Sequence, residues 1–203
     1  MDIILSSISQ GLLWSVMAIG VYLTFRILDI ADMTAEGSYP LGAAVCATGI
    51  VNGLNPLLAT FLAMIAGMGA GLISGLLHTK LKIPALLTGI VTLTGLYSIN
   101  LKILGKANVA LLKQETLVTQ LQDFGLAKTN AVLVIGIIFV LAVVGVLTLL
   151  LNTQIGLAIR STGDNIPMSE ANGINVDRMK IYGYMMSNGL IALCGALLTQ
   201  NNG

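Results

Sequence analysis

Residues 130–151, NAVLVIGIIFVLAVVGVLTLLL, hold no charged side chain, and residues 152–180, NTQIGLAIRSTGDNIPMSEANGINVDRMK, follow at once with six. A helix needs about 20 predominantly apolar residues to cross the hydrocarbon core of a bilayer. The first stretch meets that requirement and the second cannot. The junction at Asn152 therefore reads as a spanning helix that ends in a polar segment outside the hydrocarbon, and the rest of the chain is divided by the same yardstick.

Five spans result, at residues 4–25, 57–77, 83–104, 130–151 and 180–199. Composition agrees. The chain has 203 residues, 56% of them apolar and only 9% charged, with a mean hydropathy of +0.91, whereas soluble domains carry about 25% charged residues. The expected fold is an all-α, polytopic transmembrane helix bundle, one domain over residues 1–203, with a short helix in the 152–180 loop. A formal net charge of +1 gives no basis for a nucleic-acid partner; the surrounding partner is membrane lipid. Cys46 and Cys194 lie inside apolar stretches, where a thiol is a small hydrophobe. The first apolar segment has no small-residue cleavage pattern after it and reads as a retained span.

A sixth segment, SYPLGAAVCATGIVN at 38–52, is short for an ordinary span and carries Gly37, Pro40 and Gly42 at its start. Interrupted segments persist at membrane depth only where protein or a water-filled cavity satisfies the freed backbone groups. It is expected inside the bundle, broken near those residues.

Lysine and arginine placement orients the spans. With the 152–180 loop cytoplasmic, Arg26, Lys80, Lys82, Arg160, Arg178 and Lys180 fall inside, and Lys102, Lys106, Lys113 and Lys128 outside. Of the outer four, Lys106, Lys113 and Lys128 are spread along the Gly105–Asn130 connection and Lys102 just precedes it; the connection's apolar spacing predicts a short interfacial helix. The N-terminus is then outside.

GMGAGLISG places Gly67, Gly71 and Gly75 on one helix face, where small residues allow close helix approach. That face packs either within one subunit or against a second copy. Thr88, Thr92, Tyr97 and Asn100 give residues 83–104 a modest polar component; such threonines either bond their own backbone or line a path.

Within the polar loop, STGDNIPMSEANGI predicts a helix with Asn165 as N-cap, Pro167 in the first turn and Gly173 just past the end. GLAIRS before it is a brief amphipathic piece, and INVDRMK after it leads into the last span. Two turns are too few to be stable alone. The segment is either a structured interfacial loop or a docking knob that presents Ile166, Met168, Ser169 and Glu170 to a cytoplasmic partner.

GLAIRSTGDNIPMSEANGINVDRMKIYGYMMSNGLIALCGALLTQ resembles the coupling-helix region and following span of permease subunits of bacterial ABC importers, in the branched-chain amino acid and ribose permease family. The similarity is carried by Gly156, Ala158, Arg160, Asn165, Ala171, Gly173, Ile174 and Lys180, and VYLTFRILDIADMTAEGSYPLGAAV is similar to the family's N-terminal part. The resemblance implies a permease subunit in a bacterial plasma (inner) membrane, paired with a second copy or a paralogue. It also implies an extracytoplasmic solute-binding protein and ATP-binding subunits that dock on Arg160, Asn165, Ile166, Met168, Ser169, Glu170, Ala171 and Gly173. ATP and magnesium would then be held by the partner ATPase and no cofactor by this chain. Independently, the sequence contains no phosphate-binding loop, since its only Gly-Lys pair, Gly105-Lys106, lacks the flanking residues. Family members usually continue beyond the segment matching 180–199, so a C-terminally shortened permease is expected. They also often carry Asn and His where this chain has Asp29, Asp32 and Glu36.

In that acidic stretch, Arg26 and Asp29 at helical spacing form a candidate ion pair at the membrane edge. Ionisable groups inside a bundle rarely face lipid, so Asp32 and Glu36, at depth, would line the path or bind another chain. With Ser38, Tyr39, Gly42, Thr88 and Thr92 they make the candidate translocation path. Free backbone donors at a broken helix start suit a carboxylate, and the acids suit an ammonium group. An amino acid or similar zwitterion fits, with a simple cation next.

Catalytic sites find little support. His78 stands alone in HTKLK, without the paired aspartates, Ser–His arrangement or metal motif an intramembrane hydrolase needs. The alternatives to an importer permease are a membrane scaffold that recruits a partner without moving solute, and a secondary transporter, for which no ionisable relay appears outside residues 26–36.

Overall fold

The computed structural model describes residues 2–105, 111, 114–123, 125 and 127–202. Among them all regular secondary structure is helical: α1 (Asp2–Tyr22), α2 (Ala35–Val51), α3 (Pro56–Lys80), α4 (Ala85–Leu104), α5 (Leu117–Asp123), α6 (Lys128–Leu151), α7 (Gln154–Asp164), α8 (Ile166–Ala171) and α9 (Val176–Asn202). A π-helical turn, Leu23–Ile27, extends α1. Five of these, α1 with its π turn, α3, α4, α6 and α9, are long and apolar enough to cross a membrane, at the positions the apolar stretches mark. The protein is a multi-pass, all-α membrane bundle.

Its organisation inverts that of a soluble protein. The most apolar span, α6, is mostly exposed, and α9, among the least apolar, is the most buried. Lipid is as apolar as leucine, so helix association depends on close packing rather than on hiding hydrophobic surface. Accordingly Phe61, Ile65, Ile73, Ile138, Leu141 and Leu149 face outward, while α9 is surrounded by α1, α2 and α3.

Glycine makes that centre possible. Gly67 lies on Asn188 and Ala192, Gly71 on the backbone of Tyr184 and Met185, and Gly75 on Ile181, so the face predicted from GMGAGLISG is the one on which α3 runs antiparallel to α9. From α2, Gly42 rests on the Ala192 carbonyl. From α1, Gly20 meets Ser187 and Ile191. A β-carbon at any of Gly42, Gly67 or Gly71 would run into α9 backbone or side-chain atoms.

Two expectations are corrected here. The break anticipated near Gly37, Pro40 and Gly42 is absent: α2 is continuous across all three and begins at Ala35. Pro40 removes one backbone donor, but tertiary packing outweighs that cost, because Gly37 admits Leu93 and Leu96 of α4 and Gly42 admits α9. The interruption lies upstream, in residues 28–34, between the π turn and α2. The Arg26–Asp29 helical face is also lost. The helix ends with the π turn, and Asp29 takes a left-handed backbone with φ of +54°, so the two exposed side chains no longer share a helical stripe.

The antiparallel packing collects α1's last turn, the end of α3 and the start of α9 at one end of the bundle, together with α7 and α8. Arg26, Lys80, Lys82, Arg160, Arg178 and Lys180 are all in segments at that end. Lys102 and Lys128 belong to the opposite end, where Leu117 at the start of α5 donates its N–H to Gln200 Oε1 over 3.1 Å. Lys106 and Lys113 lie outside the described residues.

Candidate docking surface and buried polar site

At the end that gathers the basic residues, α6 turns sharply into α7. Thr153 caps α7 by accepting from the Gly156 N–H, and Gly156 lies so close to Leu150 and Leu151 that no β-carbon fits. Asn165 closes α7 and opens α8, its side chain accepting from the Met168 N–H at 3.0 Å, with Pro167 in the first turn. Gly173 follows α8 with φ of +77°, a conformation costly to residues with a β-carbon. Such caps hold a six-residue helix that could not persist alone.

The outward face carries Ile166 and Met168, the latter 64% exposed, with Arg160, Glu170 and Ala171 exposed around them. Ile155 and Leu157 on α7 extend the apolar surface. Ser169, expected on the presented face, is instead 1% exposed, because in so short a helix one side must rest on the protein.

α7 is seated on the bundle through Gly163, which touches the Ile27 carbonyl and Leu28. Leu28 in turn packs on Gly183 of α9. The α7–α8 segment thus rests directly on the start of the irregular stretch 28–34, four residues before Asp32.

Asp32 is buried at 2% exposure. Its Oδ1 accepts from the Thr34 N–H at 2.8 Å and its Oδ2 from Asn188 Nδ2 at 2.8 Å. The other side of the Asn188 amide accepts from Ser38 Oγ at 2.6 Å, and Thr34 Oγ1 shares a 2.8 Å hydrogen bond with Ser74 Oγ of α3. Below Ser74 on the same face, His78 Nδ1 lies 2.8 Å from the Ile83 carbonyl, with its ring 6.0 Å from that of Tyr184. Tyr184 is wholly buried, and its hydroxyl has no hydrogen-bond partner. Desolvation holds the Asp32 carboxyl above the ordinary aspartate range, partly offset by the Thr34 and Asn188 hydrogen bonds and the nearby His78.

The remaining predicted path residues scatter. Glu36 points outward and is exposed, because successive α2 residues are rotated by about 100°, which turns it away from the interior that Gly37 and Ser38 face. Tyr39 stacks on Trp14 with ring centroids 5.6 Å apart. Thr88 and Thr92 are buried but bond carbonyls close by in sequence, Ile83 at 3.4 Å and Thr88 at 2.9 Å. Of the acids, Asp32 alone enters the interior, joined by Ser38 and by residues the sequence did not single out: Thr34, Ser74, Tyr184 and Asn188. The available signal was Asn188 and Ser187, polar side chains at the middle of a span. Among the described residues, no three histidine, cysteine, aspartate or glutamate side chains gather where they could hold a metal ion.

Comparison with known proteins identifies the family of the chain as a whole. The model of the family described as branched-chain amino acid transport system / permease component matches residues 3–203. The chain is 43% identical over 197 residues to a tyrosine transport system permease protein of Clostridioides difficile, covering 97% of this chain and 64% of that protein. It is 34% identical over 203 residues to an uncharacterised protein of Rickettsia prowazekii, covering all of this chain and 70% of the relative. An autoinducer 2 import system permease protein of Yersinia enterocolitica is 29% identical over 202 residues, 98% of this chain and 53% of that protein. The chain thus spans between about half and two thirds of the length of the named transport relatives. No solved structure matches it. A match over residues 3–203 leaves no helix outside the alignment, and the chain belongs to the family of branched-chain amino acid transport system permease components.

Proposed function

We propose that this chain is a membrane-embedded permease subunit of an ATP-driven importer and forms part of the path for a small polar solute, with ATP hydrolysis on a separate subunit. The observation that carries the reading is the α7–α8 segment: an apolar knob of Ile166 and Met168, braced by the Asn165 cap and standing at one end of a family-matched bundle. Exposed apolar side chains on a rigid short helix are suited to a partner's groove, where buried anchors supply most of the binding energy. The partner is an ATP-binding subunit that holds ATP and magnesium, and this chain binds no cofactor of its own.

The basic residues collected at that end favour placing it in the cytoplasm of a bacterial cell, in the inner membrane. A second permease, identical or paralogous, and an extracytoplasmic solute-binding protein complete the assembly. The solute is an amino acid. The likeness to a tyrosine transport permease supports this, as does a single buried carboxylate, Asp32, held in an interior otherwise free of acidic groups among the described residues. A scaffold that recruits a partner without transport is the second reading, since the docking surface alone would serve it.

Reconstitution decides between them. Vesicles carrying the permease, its ATPase and the binding protein should take up L-tyrosine only with ATP. Replacing Ile166 by aspartate would bury an unpaired carboxylate in the contact, at a cost of several kcal/mol; ATPase association and uptake should both be lost while the permease still inserts. Association without ATP-dependent uptake of any amino acid would favour the scaffold.

A further inference from the structure

The buried polar network contains one atom that the protein's own hydrogen bonding does not explain. Asp32, Thr34, Ser38, Ser74 and Asn188 are each bonded within the network, and every one of them belongs to a segment that meets α9 or α3 there. The Tyr184 hydroxyl is buried and has no protein partner. It is not remote from the others. Asn188 Nδ2 donates to the Tyr184 carbonyl at 3.0 Å as well as to Asp32, which fixes Tyr184 one turn below Asn188, and the Tyr184 ring lies 6.0 Å from that of His78, one turn along α3 from Ser74.

Counting donors and acceptors identifies what is missing. Each Asp32 oxygen accepts one hydrogen bond from the protein and retains capacity for another. A phenol oxygen can accept as well. The cluster therefore has spare acceptor capacity on a carboxylate and a phenol oxygen, and of the donors that face it the Thr34 N–H and the Asn188 amide are used, which leaves the phenol O–H as the one free donor among them. What fits is a compact cation with several N–H donors. A primary ammonium group has three and no acceptor, whereas a carboxylate or phosphate would meet only repulsion from Asp32.

We propose that Asp32 and Tyr184 together form the contact for the ammonium group of an amino-acid solute as it passes between α2, α3 and α9, with Asn188 and Thr34 as positioning residues that hold the Asp32 carboxylate in place. This rests on the permease reading and sharpens it. The outward-facing Glu36 drops out, and Tyr184 enters as a recognition group. The small residues on the surrounding faces, Gly42, Gly67 and Gly71, set the separation of these helices from α9.

The two functional groups separate cleanly by substitution. Because the Tyr184 hydroxyl has no protein partner, Tyr184→Phe removes nothing that holds the fold, and its unfolding midpoint in detergent should equal or exceed the parent's. In the reconstituted complex with L-tyrosine as the probe, the same variant should lose at least tenfold in ATP-dependent uptake. Asp32→Asn should lose at least as much, and the double variant no more than the larger single loss, since both groups act on one ammonium. Parent-level uptake by Tyr184→Phe would overturn the proposal and leave the permease reading standing. A lowered unfolding midpoint for Tyr184→Phe, or losses that multiply in the double variant, would also overturn it. Absence of ATP-dependent uptake by the parent complex would remove both readings.

Discussion

Asn188 of α9 donates to Asp32 Oδ2 at 2.8 Å across 156 positions of sequence, while its own amide oxygen accepts from Ser38 Oγ at 2.6 Å. One side chain thereby joins the irregular stretch after α1, the start of α2 and the middle of the central helix. Asn188→Leu keeps the volume roughly constant and removes both bonds, leaving a buried carboxylate and a hydroxyl without their partner. The expected loss is about 3 kcal/mol, read as a lower unfolding midpoint of the purified protein at fixed pH.

Packing on α9 should be equally position-specific. Gly71 faces the Tyr184 backbone with no room for a β-carbon, whereas Gly69, two residues earlier, has open space around it. Gly71→Leu should force α3 away from α9 and abolish a monodisperse folded species. Gly69→Leu should be tolerated, because its side chain enters lipid. Size-exclusion profiles of the two variants make the comparison directly.

Membrane sidedness is testable with residues whose exposure is known. Met168 on α8 and Leu54 between α2 and α3 are both exposed and stand at opposite ends of the bundle. With the buried Cys46 and Cys194 replaced by alanine, single cysteines at Met168 and Leu54 should label from opposite faces of the membrane, Met168→Cys from the cytoplasm. Labelling of both from one face would defeat the assigned topology. Ser169 is unsuitable for this purpose, since its burial would block the reagent.

Gly163 links α7 to the bundle through the Ile27 carbonyl. Gly163→Val should lift α7 from the π turn without touching Ile166 or Met168, so the ATPase should still bind while uptake per ATP hydrolysed falls. If the ratio of uptake to hydrolysis is unchanged in that variant, the Gly163–Ile27 seat plays no part in coupling.

The buried acid has a pH signature. An Asp32 carboxyl raised above its unfolded value binds its proton more tightly in the folded state, so stability is greatest when it is protonated and declines as pH rises from the ordinary aspartate value through the folded one. His78 and Tyr184 are the titratable groups beside it. Unfolding of the parent should show this decline, and Asp32→Asn should flatten it.

Much of the architecture was legible because membrane spans announce themselves by length and apolarity. The apolar stretches at 4–25, 57–77, 83–104, 130–151 and 180–199 coincide with spanning helices, and the α8 caps at Asn165, Pro167 and Gly173 were readable from residue type alone. The Gly67, Gly71 and Gly75 spacing identified a packing face but not its partner, which only the position of α9 supplies. Gly37, Pro40 and Gly42 misled, because the same residues that break a helix also permit close contact, and the two uses have one sequence signature.

What the sequence by itself determined was the set of helices and the polar segment between α6 and α9, since hydropathy and capping act within about 20 neighbouring residues. Which acid turns inward was decided by tertiary structure alone. Asp29, Asp32 and Glu36 lie within eight residues of one another, yet the π turn and the left-handed Asp29 rotate only Asp32 toward the interior. Its partner Asn188, and Ser74, which bonds the neighbouring Thr34 hydroxyl, come from helices whose arrival there depends on glycine contacts far along the chain. A carboxylate is stable in such a place only where donors from other segments meet it, and no local pattern encodes that meeting.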